Sequence, residues 1–123
     1  MTSVTITLPY PPKVLHPNGR TKRPKYRRAA KRKWQSDCMA VAFAAGLPRM
    51  EACRLDARWF HPQRRFSPMD DDNLTAWLKY GRDAIAEVMR MNDKAMTMGG
   101  HGQDKDLANP RVELTITERT DDE

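Results

Sequence analysis

Apolar and polar residues alternate in three short stretches of the chain, residues 4–8, 53–59 and 112–116. A period of two predicts a β-strand with one buried face, so each stretch is expected to form a strand of a partly covered sheet. Residues 96–108 contain three glycines and alternate more weakly. Part of this segment is expected to supply a fourth strand.

Two longer segments repeat their apolar residues every three or four positions, the spacing of one face of an α-helix. The first begins near Tyr26 and stops before Gly46 and Pro48, and its apolar face consists of Tyr26, Ala30, Trp34, Cys38, Val41 and Ala45. The second follows Asp70–Asp72, and its apolar face consists of Leu74, Trp77, Leu78, Gly81, Ile85, Val88 and Met89. The order of the elements predicts one α/β (α+β) domain over residues 1–123, with two main helices on a small mixed sheet of about four strands.

Charge is distributed unevenly along the chain, whose formal net charge is +6. Residues 1–36 contain ten Lys and Arg and no acidic residue, whereas the remainder contains twelve basic and sixteen acidic residues. Solvated helices usually mix both signs, so this basic N-terminal third, densest over residues 13–33, predicts a polyanionic partner such as nucleic acid. Residues 119–123 are expected to form a frayed acidic tail.

Three consecutive aspartates, Asp70 to Asp72, precede the second helix. Adjacent carboxylates repel each other, and hard oxygen ligands suit Mg²⁺ or Mn²⁺, so a divalent metal site is one explanation for the cluster. The other explanation is a helix cap, although one aspartate suffices for that purpose. Asp70 and Asp72 are two residues apart and are expected to point the same way, so both can reach one ion.

Two more charged residues belong to the same region. Lys79 lies seven residues after Asp72, on the same side of a helix, where it could contact a phosphate or pair with Asp83. Asp93 follows the helix after a short turn, beside Asn92, and taken alone would be an ordinary turn residue. Both alternatives for Lys79 stay open.

The remaining chemistry-bearing residues indicate packing rather than a second site. Cys38 and Cys53 are expected to be buried free thiols of a reducing compartment, the three histidines lack zinc-ligand spacing, and the three tryptophans lie on apolar faces. No apolar run has the length of a membrane span, and the N-terminus lacks the pattern of a signal peptide. A cytoplasmic protein with no membrane partner and no organic cofactor is therefore expected.

Several of these segments, in this order, resemble the RusA-type Holliday junction resolvases of phages and prophages. ITLPYPP is similar to the first strand and proline bend of that family, HPNGR with the basic helix to its phage-type members, and PRVELTITE to its closing strand. DDDNL, Lys79, DAIAEVM and ND resemble its central metal motif, in which an aspartate, one spacer and Asp-Asn-Leu are followed by a third aspartate after the helix. The resemblance covers most of the chain.

The resemblance implies a homodimeric, Mg²⁺-dependent endodeoxyribonuclease, with Mn²⁺ as an alternative ion, that resolves four-way DNA junctions by paired symmetric nicks in DNA recombination and repair. It assigns Asp70, Asp72 and Asp93 as metal ligands and Lys79 as the assisting lysine. The expected phosphate contacts are Arg20, Lys22, Arg23, Arg27, Arg28, Lys31, Arg64 and Arg65. The chain departs from the family at Asn92, where an aspartate is usual, and its lysine position fits only the longer-helix members.

Two rival functions stay open at this point. Asn92 and the shifted lysine are compatible with a branched-DNA-binding protein that is catalytically weak or inactive. A less selective structure-specific nuclease, acting on flaps or duplexes, is the other rival, because branch selectivity depends on dimer geometry rather than on local motifs.

Overall fold

The computed structural model describes residues 2–18, 23–65 and 67–120. Its strands are β1 (Ser3–Pro9), β2 (Ala52–His61), β3 (Met96–Lys105) and β4 (Arg111–Arg119), and its α-helices are α1 (Pro24–Ala44), α2 (Asp71–Trp77) and α3 (Lys79–Met89). Short 3-10 turns lie at Lys13–Leu15 and Asp93–Ala95. The described part of the chain confirms the predicted α/β fold with its four-stranded sheet.

The sheet is mixed, with the strand order β1-β4-β2-β3. Strand β4 runs antiparallel to both β1 and β2, whereas β2 and β3 are parallel. A parallel pair needs a crossover connection, which α2 and α3 provide here. Because the crossover leaves the carboxyl end of β2 and returns to the amino end of β3, α2 begins at one end of the sheet and α3 finishes at the other.

The helices cover one face of the sheet, and the core lies between the two layers. Alternating strand residues that were predicted to face inward, such as Leu8, Leu55 and Leu114, are fully buried. Trp34 of α1 packs against Gly81 of α3, where a Cβ atom would lie only 2.8 Å from the indole ring. Glycine at this position therefore lets α1 and α3 approach closely.

The helices differ from the prediction at Tyr26, Leu78 and Ala45. Tyr26, expected on the buried face of α1, is 59% exposed, and Arg23 donates a hydrogen bond to its hydroxyl and packs on its ring. The second helix is divided at Leu78, whose ψ of −8° departs from helical values. The division is a bend, because the Leu78 N–H still bonds Leu74 O and the Arg82 N–H bonds Leu78 O.

The cysteines and tryptophans lie in the interior, as predicted. Both cysteines are buried and free, and the three tryptophans are buried. The prediction that Ala45 lies on the buried face of α1 is wrong, because Ala45 follows the last helical residue, Ala44, and is exposed, whereas Ala42 is buried. No helix in the described ranges is long and apolar enough to cross a membrane.

Candidate functional site

The three consecutive aspartates lie at the start of α2. Asp70 is the N-cap residue and has an extended backbone, but its side chain makes no capping hydrogen bond. Asp71 and Asp72 occupy the first turn, and all three residues are exposed. None of them forms an ion pair with another described residue. A hydrogen-bonded cap therefore does not explain the cluster, and these carboxylates face solvent at the positive end of a helix.

The backbone just before the aspartates is held by a side chain of β3. The amide of Gln103 donates to the Met69 carbonyl and accepts from the Met69 N–H, each at 3.0 Å. Gln103 Oε1 also accepts from Nε2 of the buried His61 at 3.0 Å, and His61 Nδ1 accepts from the Tyr10 hydroxyl at 2.7 Å. Burial raises the pKa of Tyr10 to about 12, so its hydroxyl keeps the proton that this bond uses. These bonds tie Asp70 to the sheet.

A second series of hydrogen bonds ends on α2 itself. The Trp59 indole N–H donates to Nδ1 of His101 at 3.0 Å, and Nε2 of His101 lies 2.8 Å from the Thr75 hydroxyl. Since an indole can only donate, His101 carries its proton on Nε2. Burial and the guanidinium of Arg82 lower the pKa of His101, while the carboxylates of Asp71 and Asp56 act in the opposite direction without reversing the shift. His101 is therefore a neutral residue that fixes α2 on β3.

A pocket of about 280 Å³ opens beside Met69. Its lining combines aromatic rings with polar groups and consists of Tyr10, His16, His61, Gln63, Arg65, Ser67, Met69 and Trp77. Trp77 stacks on Trp59 at a centroid distance of 5.4 Å, and Tyr10 and His16 meet Trp77 edge-on. These contacts make one wall of this aromatic pocket rigid. Since Met69 directly precedes Asp70, the aromatic pocket and the aspartates are neighbours.

Lys79 lies at the start of α3 and is exposed. It forms no ion pair with Asp83 or with any other described residue. Its ammonium is 5.9 Å from the ring centroid of Tyr80, and the ammonium of Lys31 in α1 is 4.5 Å from the same centroid. The basic helix and the predicted site lysine thus meet at Tyr80, one helical segment away from the aspartates.

The other predicted phosphate contacts are spread over α1 and the loop before α2. Those that are exposed are Arg23, Arg28, Arg64 and Arg65. Arg27 is partly engaged, because its guanidinium donates to the Val14 carbonyl at 2.8 Å. Arg65, unlike Arg64, lines the aromatic pocket. Arg20, Lys22 and residues 121–123 of the predicted tail lie outside the described residues.

Asp93 lies far from the other aspartates. It begins the turn that leads into the amino end of β3, whereas Met69 is bonded to Gln103 near the carboxyl end of that strand. Met96 and Gln103 pair with Cys53 and Trp59, which are six residues apart in β2, so they lie about 20 Å apart at about 3.3 Å per residue. Within one chain, Asp70 and Asp72 are close together and Asp93 lies at the opposite end of the sheet.

Two of the three predicted metal ligands, Asp70 and Asp72, are placed to bind a hard divalent cation together. Within the described ranges, no group of three His, Cys, Asp or Glu residues is arranged to hold a metal ion. Mg²⁺ commonly uses only one or two carboxylates, however, and completes its shell with water and substrate phosphate. Asp70 and Asp72, with free oxygen donors at one helix start, meet that requirement, whereas Asp93 of the same chain does not join them.

Sequence patterns did not single out the residues that hold this site in place, which are Tyr10, His61, Thr75, His101 and Gln103. Three of these lie at inward positions of β2 and β3, namely His61, His101 and Gln103. A polar side chain at an inward strand position needs a hydrogen-bonding partner, so its position within the alternating pattern is the sequence feature that indicates such a role.

A comparison with known proteins finds a relative in Xylella fastidiosa (strain Temecula1) that is described as an uncharacterized protein. The two sequences are 34% identical over 117 residues, which cover 92% of this chain and 75% of the relative. No family model matches the chain.

Proposed function

The chain belongs to the same family as the uncharacterized Xylella fastidiosa protein, and from its own site we propose that it is a magnesium-dependent endonuclease that resolves four-way DNA junctions. The observation that supports the proposal best is the N-cap carboxylate of Asp70, which caps nothing and stands beside Asp72 in a strongly basic protein. A cationic surface that holds phosphates, next to acidic oxygen donors, suits a metal-dependent nuclease.

In this proposal Asp70 and Asp72 hold the ion. When bound, the metal supplies an activated water and charge stabilisation at the scissile phosphate. The hydrogen bonds from Gln103 to Met69 fix where Asp70 stands, and those from His101 to Thr75 fix the helix that carries Asp72. Lys79 and Lys31 place two cations near Tyr80, where they attract the DNA backbone toward the carboxylates.

A homodimer is part of the proposal for a geometric reason. Asp93 and the pair Asp70 and Asp72 lie at opposite ends of β3, so one chain cannot bring all three to a single ion. A second copy, turned end to end by a two-fold axis, could place its Asp93 beside the acidic helix start. The same symmetry would present two acidic sites to the two equivalent strands of a four-way junction.

The same separation favours a second candidate function. If Asp93 never reaches the acidic helix start, Asp70 and Asp72 are left without the third aspartate of the motif, and the weaker metal site would favour a protein that binds branched DNA without cutting it. Its basic helix and exposed loop arginines would still provide phosphate contacts.

The experiment uses a labelled four-way junction and a linear duplex of matched sequence, each incubated with the purified protein and Mg²⁺. The nuclease proposal predicts paired symmetric nicks in the junction and none in the duplex. Binding without any product in Mg²⁺ or Mn²⁺ would replace it by the binding-only function. Equal cutting of both substrates would replace it by a nuclease without branch selectivity.

A further inference from the structure

We propose that the aromatic pocket holds one unstacked nucleobase of the bound DNA, next to the phosphate that faces the aspartates; this inference rests on the proposed action on DNA. A base in this position would give the protein a sequence or structure preference at the cutting site. It would also fix the register of the strand relative to Asp70.

The aromatic pocket lies next to the aspartates. Met69 lines the pocket and is followed directly by Asp70, the N-cap of α2. A nucleotide whose phosphate lies at the aspartates therefore has its base within reach of this opening. Enzymes that do chemistry on a base extrude the target nucleotide from the stack into a fitted pocket, so a protein pocket can hold one unstacked base.

The volume of the aromatic pocket suits a single nucleobase. The cavity of about 280 Å³ is slightly smaller than typical small-molecule sites, which measure about 300–1,000 Å³. A volume of this size suits one flat ring system rather than a larger cofactor. The wall formed by Trp77, Tyr10 and His16 is aromatic, and base–aromatic contact is tolerant of base identity.

The lining of the aromatic pocket offers both hydrogen-bond donors and acceptors. His16 Nδ1 accepts from the Asn18 N–H, so its Nε2 carries the proton and is a donor. The Tyr10 hydroxyl donates to His61 and keeps a lone pair that can accept, and the amide of Gln63 offers both functions. A mixed set of donors and acceptors matches a base edge, whereas a phosphate would use donors alone.

The opening of the aromatic pocket carries a positive charge. Arg65 is exposed and lines the opening, and none of the described residues that line the pocket is acidic. The guanidinium can contact the phosphate of the nucleotide whose base is inside. Arg64, its exposed neighbour, lies outside the lining, so the loop offers two adjacent arginines of which one belongs to the pocket.

The test measures binding in the absence of divalent ions, so that it does not depend on cutting. Four-way junctions are prepared in which one nucleotide at a time around the branch point lacks its base. For the wild type, we expect loss of one particular base to weaken binding by about tenfold, the scale of one base–aromatic contact, and loss of the others to have little effect.

Two exposed-residue variants complete the design, and neither is expected to affect folding. A protein carrying Gln63→Ala and Arg65→Ala should bind the intact junction more weakly and should show a smaller further loss than the wild type when the critical base is absent, because Gln63 no longer bonds the base edge while the aromatic wall remains. Arg64→Ala should weaken binding to intact and abasic junctions by the same factor, because it removes a phosphate contact only.

The outcomes separate the two proposals. Equal binding of all abasic junctions by the wild type, or an abasic effect that persists unchanged in the double variant, would overturn the base pocket while leaving the nuclease proposal intact. An abasic effect without any cutting in Mg²⁺ would support the pocket and overturn the nuclease. A protein that binds no DNA would overturn both.

Discussion

The side-chain amide of Gln103 forms two hydrogen bonds with the backbone of Met69, the residue before Asp70. Its Oε1 accepts from the Met69 N–H and its Nε2 donates to the Met69 carbonyl, each at 3.0 Å. The interaction joins the loop that precedes α2 to strand β3. His61 bonds the same amide oxygen and thereby fixes its orientation. The acidic end of α2 is therefore attached to the sheet by hydrogen bonds as well as by apolar packing.

Replacing Gln103 by leucine should weaken both folding and the acidic site. The Met69 N–H and carbonyl and the His61 Nε2–H would each lose a partner in a half-buried setting, which costs about 1–3 kcal/mol of the free energy of unfolding. Urea unfolding measures this loss, and Mg²⁺-dependent cutting should fall further than junction binding. Gln63→Leu, at an exposed position outside the hydrogen-bond network, is the control for stability, and an equal loss there would contradict the account.

Protonation of His101 should destabilise the fold as the pH falls. Its pKa is lowered by burial in the folded protein, whereas the unfolded chain titrates near the ordinary value of 6.5. The unfolded state therefore binds the proton first, so this contribution to stability is complete above about pH 6.5 and is lost as the pH falls toward the folded-state pKa. His101→Gln should accordingly show a smaller decrease of stability than the wild type between about pH 7.5 and pH 5.

Thr75→Val is the matched control for this pH dependence, because it removes the hydrogen-bonding partner of His101 and keeps the titrating ring. This variant should be less stable than the wild type at both pH values. It should retain a pH-dependent decrease, since His101 still titrates. Identical pH profiles for the wild type and His101→Gln would show that another group causes the acid sensitivity.

Two lysines of α1 should contribute unequally to DNA binding. Lys31 lies over Tyr80 beside Lys79 and forms no ion pair with a described residue, whereas Lys33 pairs with Asp37 at 3.0 Å. Lys31→Ala should weaken junction binding and reduce the slope of log affinity against log salt by about one. Lys33→Ala should have the smaller effect on both, and equal effects would mean that the face of α1 toward α3 has no special role.

The strands, the tryptophan core and the position of the aspartates could be predicted because each depends on local sequence. The alternation of apolar and polar residues predicts which strand residues are buried, as at Leu55 and Leu114. Acidic residues directly before a segment with helical apolar spacing predict a helix N-terminus, as at the start of α2. The exposure of Tyr26 could not be predicted in this way. It depends on where the first turn of α1 lies relative to the sheet, and periodicity carries no such information.

The network around the site could not be predicted because its members come from distant parts of the chain. His61 and Gln103 meet because β2 and β3 are parallel and in a particular register, and Tyr10, which follows β1, reaches His61 because β1 belongs to the same sheet. The same topology separates Asp93 from Asp72, although the two residues flank one helical unit in sequence. Strand order and direction are tertiary properties, and no local pattern specifies them.

The measurement that tests the central claim most directly is cutting of a labelled four-way junction by Asp72→Asn, with Asp71→Asn as the neighbouring control. Both residues are exposed in the first turn of α2, so both variants should fold and bind the junction like the wild type. The account predicts that Asp72→Asn loses Mg²⁺-dependent cutting and that Asp71→Asn retains it. Full cutting by Asp72→Asn would contradict the assignment of this helix start as the metal-binding site.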